Sequence, residues 1–424
     1  MKKFLIGILV IMVVFIILMY LSFNESTSDY STGSIVGIDD IENTDFTQHD
    51  SVLIAASNQY EGKMLKQIMQ GEHYRKVWTT PIEVPVVYLD TLKGGLRPVK
   101  EGGGHQTRSL KLMSDDDVLY TMRSINKYPD PLIPEFARTL GIENLIIDGI
   151  SAQHPYASIV VAKLSTPLNL ESTHPQVMFI PKQDALEKYN DKYGNALYMF
   201  EYESEGETNW TMYNDILRLV DTEDLQELKI EYGKNLTIDK DLLIRARLFD
   251  IVIGDWDRHA EQWGWALQKI DKSIKAIPIP ADRDNAFFDI DGILPTLISN
   301  KFVEPELRPF SESVDYMPGL VKPFDAYFLH ATEGKIYVEQ AEYIQKVLTD
   351  KVINDAFKVW PKQIYDLNGD DLIRKIKARR DKLVQYAEAF RTSIEERGIL
   401  QEPLKGSNDK DIKGNLIHCF ECQD

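Results

Sequence analysis

Cysteine is almost missing from this chain: its 424 residues include two, Cys419 and Cys422, both near the C-terminus. No disulfide framework can stitch the body together, so the fold must rest on a hydrophobic core. The pair itself leaves three options open: incidental thiols in a polar tail, a terminal disulfide, or half of a zinc site, which is not a site by itself. Basic residues are also short, 48 against 66 acidic, for a net charge of −18. So acidic a surface argues against nucleic acid as the main partner, while a local basic pocket for phosphate stays open. Several reaction signatures are missing as well. No Gly-x-Ser-x-Gly elbow, no His-Glu-x-x-His and no Gly-Lys-Ser/Thr phosphate loop occurs, and the eight histidines are scattered without ligand spacing.

Polar residues are nearly missing from one stretch, Phe4–Phe23, which follows Met1-Lys2-Lys3. About 20 apolar residues suffice to span a bilayer as a helix. The stretch is longer than a usual secretion-signal core, and no Ala-x-Ala-like site follows it. We read residues 1–23 as a single-pass anchor, with a cleaved signal as the alternative. Lys2 and Lys3 would keep the N-terminus cytoplasmic and place the main domain outside the cytoplasm. The rest is ordinary globular material, with 43% hydrophobic and 27% charged residues in the whole chain.

Residues 24–50 are polar, acidic and without period, the signature of a flexible stalk. Ser57–Gln70 places Tyr60, Met64, Leu65 and Ile68 at helical spacing, and Ile82–Leu89 reads as a strand. Ser109–Met113 and Val118–Arg123 read as paired strands turned by Asp115–Asp117. Helical periods fill 132–165, and Val177–Ile180 and Ala196–Phe200 are two more strands. The polar run Glu201–Glu207 resembles a linker. Beyond it the chain turns mostly helical, with amphipathic stretches at Asp241–Ile253 and Asp371–Ile399. The expected organisation is a strand-rich unit over 51–203, a helical unit over 204–400 and a polar tail over 401–424. That is an α+β class, a small strand-rich lobe over a larger helical one, the layout of nucleotide-gripping enzymes.

The chemistry concentrates in two acidic clusters. Ile253-Gly-Asp-Trp-Asp-Arg-His259 follows an apolar helix, and Ile279-Pro-Ala-Asp-Arg-Asp-Asn-Ala-Phe287 follows an apolar strand. Rigid elements before each polar loop hold its side chains precisely. Asp257 suits a proton acceptor or orienting group, and Gln262 offers an amide oxygen. The bland alternative pairs Asp257 with Arg258 or His259, or makes it a helix cap. Asp282 and Asp284 are hard oxygen donors of the kind magnesium or manganese takes; a salt bridge from Asp284 to Arg283 is the competing reading. An EF-hand fails, since Phe287 stands where its glycine belongs. Upstream, Gly102-Gly103-Gly104-His-Gln-Thr-Arg-Ser-Leu110 would let backbone amides approach phosphates closely, or simply turn.

Gly254-x-x-Asp257-Arg258-His259 followed by Pro280-x-Asp282-x-Asp284-x-x-Phe287 resembles the atypical kinase superfamily. That group includes CotH spore-coat kinases, HipA-type kinases, the secretory casein kinases of the Golgi and phosphatidylinositol kinases. The resemblance is specific over 244–288 and architectural elsewhere. The chain is also similar to secreted bacterial proteins sharing Gly-Gly-Gly-x-Gln-Thr-x-Ser-Leu and Asp-Trp-Asp-Arg-His. The resemblance implies a two-lobed protein-kinase-like fold, a nucleotide triphosphate such as ATP with magnesium or manganese, and phosphoryl transfer to a hydroxyl on a protein, glycan or lipid. It implies Asp257 as the catalytic Asp, Asp282 as metal ligand with Asp284 as second candidate, and Gln262 where kinases carry Asn. It also implies phosphate contacts from Gly102–Gly104 and from a basic residue on the third strand of the small lobe. Arg123 is the first choice there, ahead of Lys127, though an Arg replaces the usual Lys. Asp148 and Glu135 are the candidate acidic partners. Glu201 and Tyr202 would line a base pocket through their backbone. Two further outcomes stay open: a catalytically silent binding protein of kinase shape, and a metal-dependent phosphohydrolase.

Overall fold

A computed structural model describes residues 1–23, 34–102, 107–128, 133–407, 412 and 414–422. Among the described residues, eleven strands run in chain order as β1 (Ser51–Ile54), β2 (Ile82–Pro85), β3 (Leu96–Glu101), β4 (Ser109–Ser114), β5 (Leu119–Ser124), β6 (Gln176–Ile180), β7 (Ala196–Tyr202), β8 (Ile216–Asp221), β9 (Leu236–Ile238), β10 (Trp263–Ile270) and β11 (Ser273–Pro280). They form a β1-β2 pair, a five-stranded sheet β3-β4-β5-β7-β6 and a four-stranded sheet β8-β10-β11-β9. All pairings are antiparallel except β11 with β9. With many helices besides, the class is mixed α+β, as expected.

Period-2 alternation explains the five-stranded sheet. Leu110 and Leu112 of β4, Tyr120 and Met122 of β5, and Tyr198 and Phe200 of β7 share one buried cluster. The residues between them point the other way: Ser109 and Lys111, Thr121 and Arg123, Met199 and Glu201. The β4–β5 turn falls at Asp115–Asp117, with Asp117 left-handed (φ 58°), a conformation Asp tolerates.

Several expectations change. Residues 204–400 carry many helices, but β8–β11 also build a whole sheet there, which the helical reading did not include. Only the Ala276–Pro280 end of β11 was legible. Pro278 and Pro280 argue against a strand in sequence, yet they pair with Trp265 and Trp263. Glu201 and Tyr202 belong to β7, and Gly206 bridges Leu219, so the expected linker is largely paired backbone. The 371–399 helix is two helices, Lys362–Asp381 and Leu383–Arg397, separated at Lys382. Helix in the 57–70 stretch is confined to Met64–Gln70.

Both segments expected to be loose contribute to the core. Within 24–50, residues 24–33 lie outside the described residues, but Ile35 bridges Ile54 and is buried. Phe46 packs on Phe179 with ring centroids 4.9 Å apart. In the tail, Phe420 is fully buried against Tyr327 and Phe328. Cys419 and Cys422 form a disulfide, which decides among the three options above. At the other end, Lys2–Phe23 is one helix, long and apolar enough to cross a membrane.

Candidate functional site

The helix Lys240–Ile253 carries the first acidic cluster. Its Asp239 cap accepts from the Leu242 amide, and its inner face buries Leu243, Ile244, Phe249 and Ile253. It ends at Gly254, left-handed at φ 68°. A Cβ there would lie 2.3 Å from the Phe310 ring, so glycine is required twice over. The chain then turns out through Asp255–His259 and enters β10 at Trp263. The β10–β11 hairpin returns it to the same place. Ala281 N donates to Gln262 O at 3.0 Å, and Phe287 N donates to Ile253 O at 2.8 Å. The 24 residues between Asp257 and Asp282 are thus a hairpin excursion. Asp282 (φ 49°) and fully buried Phe287 (φ 62°) are both left-handed. For a bulky Phe this is strain that only a firm surrounding can hold.

A buried charge hub supplies that surrounding. Asp250, fully inaccessible on the same helix, accepts from Arg247 at 2.8 Å and from Arg283 at 2.8 Å, and lies 3.3 Å from Arg258. Arg258 belongs to the first acidic cluster and Arg283 to the second. One carboxylate therefore ties both loops to one helix. Arg379 adds a second brace, donating to Ile251 O at 2.9 Å while stacking on Phe310.

Arg123 of β5 reaches both groups it faces. Its Nη1 donates to Asp282 at 2.6 Å, and its Nε lies 3.0 Å from Glu201. Lys127 donates to Asp284 at 2.5 Å. Asn285 Nδ2 sits between Asp284 (3.1 Å) and Asp257 (3.3 Å), oriented by Gln153, which donates to its Oδ1 at 2.8 Å. His259 stands 3.7 Å from Asp257 and 3.3 Å from the Gln262 amide. These groups, Glu201 excepted, line one open cleft of about 600 Å³, together with Gly102, Ser109, Lys111, Glu203, Glu261 and Lys405. That volume suits a medium-sized ligand. The side chains of Asp257, Asp282 and Asp284 are 26%, 24% and 35% exposed, so all three remain reachable.

The structure thus brings together Asp257, Asp282, Asp284, Gln262, Arg123 and Gly102. Gly103 and Gly104 lie outside the described residues. Two expectations change. Tyr202 is on the other face of β7, stacked with Trp210, and its amide already donates to Thr173 O. Asp148 and Glu135 are not partners of Arg123: Asp148 is buried against Lys66 and Arg75, and Glu135 is exposed at its helix start. Glu201, expected to offer backbone only, takes the partner's place. Sequence reasoning missed Asn285 and Gln153. The adjacency of Asn285 to Asp284 was a usable signal; nothing local marks Gln153.

Among the described residues no group of three His, Cys, Asp or Glu side chains is placed to hold a metal. The oxygen donors here are Asp282, Asp284 and the Gln262 amide. Gln262 Oε1 is buried without a hydrogen-bond partner. An orphaned hard oxygen in the cleft that two carboxylates also line fits a magnesium-like cation, which is commonly held by one or two carboxylates plus the ligand's own phosphates.

Electrostatics separate the acids. Burial pushes Asp282 up, but Arg123 and then Lys127 outweigh it and hold the carboxyl below its ordinary value. Burial wins at Asp284, which is raised despite Lys127. Burial pushes Glu201 up to about 7 against the pull of Arg123. Asp255 is pushed up to about 8 by burial: neither oxygen has a hydrogen-bond donor, and Arg258 stands 3.7 Å away. An unfolded Asp loses its proton near 3.8, whereas folded Asp255 keeps it to about 8. The folded state therefore binds more protons across that window, and stability falls as pH rises through it. Asp255→Asn removes this dependence. Its melting temperature relative to wild type is expected to rise between about pH 5 and about pH 8. A difference that stays constant over that range would contradict the assignment.

No family model matches the chain, and no curated protein is similar to it. Among solved structures, the Helicobacter pylori proinflammatory kinase CtkA is similar at 15% identity over 68% of this chain and 95% of its own, with a TM-score of 0.33. A chain of the Shewanella oneidensis MR-1 toxin–antitoxin complex of HipA, HipB and operator DNA is similar at 10% identity over 74% and 77%, with a TM-score of 0.35.

Proposed function

We propose that this protein is a phosphotransferase of kinase type, moving the terminal phosphoryl group of a nucleotide triphosphate to a hydroxyl. The observation that carries this reading is the meeting of Asp257, Asp282 and Asp284 with Arg123 and Lys127 in one open cleft, from three separate stretches of chain. Phosphoryl transfer needs positioning and charge neutralisation above all. The five-stranded sheet would be the small lobe and the elements from β8 onward the large one. Arg123, Lys127 and the Gly102–Gly104 run would hold the phosphates, exchanging their present carboxylate partners for phosphate oxygens. Asp257, kept in orientation by Asn285, would accept or direct the proton of the acceptor hydroxyl. Magnesium or manganese, held by Asp282, Asp284 and the Gln262 amide oxygen, would supply neutralisation of phosphate charge. Lys2–Phe23 would be a membrane anchor with the body outside the cytoplasm. The Cys419–Cys422 disulfide supports an oxidising compartment. The acceptor (protein, glycan or lipid) and the choice of nucleotide are open to assay.

A second reading, a silent binding protein of the same shape, is favoured by two ion pairs, Arg123–Asp282 and Lys127–Asp284, which already neutralise the carboxylates a metal would use. Nucleotide is also scarce outside the bacterial cytoplasm. A thermal melt of the full chain in detergent separates the two. Mg–ATP or Mn–ATP is expected to raise the melting temperature, because a ligand at a hundredfold its Kd stabilises the folded state by about 2.7 kcal/mol. Asp282→Ala is expected to lose the gain. No shift with any nucleotide would favour the silent reading, and phosphate release from simple esters without nucleotide would point to a hydrolase.

A further inference from the structure

The apolar N-terminal helix does not stand free of the body. Phe15, Met19 and Phe23 pack among Leu65, Met69, Ile142, Leu145 and Leu294. Its last carbonyls, which a helix leaves unpaired, are capped from the body. Gln70 donates to Ser22 O at 2.9 Å and Asn144 to Phe23 O at 3.2 Å, while the Tyr20 hydroxyl donates to Leu140 O at 2.8 Å. The helix is clamped over its last two turns.

That clamp leaves Lys2–Val14 clear of the body. The apolar part of it, Phe4–Val14, is bounded by Lys2 and Lys3; at 1.5 Å per residue it extends about 16 Å, roughly 14 Å short of a hydrocarbon core of about 30 Å. A helix so clamped can span only if the body beside it also enters the membrane. The helices that grip it are built for that. On Met64–Gln70, Leu65 and Met69 face the anchor while Met64 (75%) and Ile68 (52%) are exposed. On Ile293–Ile298, Leu294 faces inward and Leu297 is 61% exposed. Leu140, whose carbonyl takes the Tyr20 bond, is 55% exposed, and Phe302, just past the second helix, is 85% exposed. Single exposed apolar side chains are ordinary, but a collar of them on the elements that hold an apolar anchor marks an interaction surface.

We propose that this collar enters the bilayer that the anchor crosses, sinking into the boundary between headgroups and acyl chains. The depth the shortfall demands, about 14 Å less what Lys2 and Lys3 recover by reaching back to the headgroups, is close to the 5–10 Å typical of interfacial helices. The inference rests on the anchor reading above. It makes the attachment rigid: the body is seated against lipid, and the cleft keeps a fixed attitude to the membrane.

The test uses the full chain in nanodiscs with the Cys419–Cys422 disulfide kept oxidised. Ile11→Cys, Met64→Cys, Leu297→Cys and Asp191→Cys are each labelled with an environment-sensitive fluorophore, against lipids spin-labelled at shallow or deep chain positions. Ile11 reports on the anchor, and Asp191, fully exposed on a separate element, is the water control. The expected result is loss of fluorescence at Ile11 with deep quencher, at Met64 and Leu297 with shallow quencher, and at Asp191 with neither. If Ile11 is quenched and either collar reporter behaves like Asp191, the collar inference is overturned and the anchor reading survives. If Ile11 is not quenched, the anchor reading fails and the collar falls with it.

Discussion

Asp257→Asn is expected to lower phosphoryl transfer by roughly 10²–10⁴-fold, the usual contribution of a positioned acid or base, while nucleotide-dependent thermal stabilisation persists. The separation of effects follows from the geometry. Among the described residues, Asp257 meets the binding machinery through Asn285 at 3.3 Å, whereas Arg123 and Lys127 bind Asp282 and Asp284 directly. An Asn side chain keeps the shape and still meets the Asn285 amide, but it cannot take a proton. Turnover and a nucleotide-induced shift, measured on the same preparation, decide the matter. Equal loss of both would make Asp257 a binding group, and unchanged turnover would remove it from the mechanism.

Asp250→Ala is expected to cost about 3–5 kcal/mol of stability, because it removes one side of a buried ion network and strands the other. Arg247 would keep Asp325 at 2.6 Å. Arg283 would be left with neutral contacts, Ser165 Oγ at 3.2 Å and the Phe249 ring. Arg258 would keep the Ala281 and Gln262 carbonyls, at 2.7 and 3.2 Å, but its nearest carboxylate would be Asp255 at 3.7 Å. Whole-domain stabilities are about 5–15 kcal/mol, so this single change takes a large share. Lys362→Ala, which breaks an exposed pair with Asp366, is the control and is expected to be nearly silent. Denaturant melts of both variants test the hub. A mild effect at Asp250 would mean that the two acidic loops are held by the hairpin alone.

How much of this was legible depended on whether the signal was local. Arg123 could be chosen because alternation along β5 puts it opposite Tyr120 and Met122, and alternation is a property of a few neighbouring residues. The nearness of Asp257 to Asp282 came from motif resemblance; the apolar strand before Asp282 was legible, but its hairpin partner β10 was not. The ion partner of Arg123 was misplaced for a different reason. Asp148 and Glu201 are equally acidic in sequence, and only the register Thr121↔Glu201 puts one of them on the Arg123 face. Asp250 drew no attention, because a carboxylate on a helix normally reads as solvent-facing. Its burial follows from three arginines that lie 3, 8 and 33 positions away in the chain. The tail and residues 34–50 looked loose since their few apolar anchors, Phe46 and Phe420, sit among polar neighbours.

The central claim is that the cleft holds a divalent cation together with a nucleotide. Manganese binding followed by electron paramagnetic resonance tests it most directly, on the full chain with and without nucleotide. One manganese per chain is expected to become immobilised when nucleotide is added, and Asp284→Asn is expected to abolish that binding. Immobilisation independent of nucleotide, or unchanged in the variant, would contradict the account.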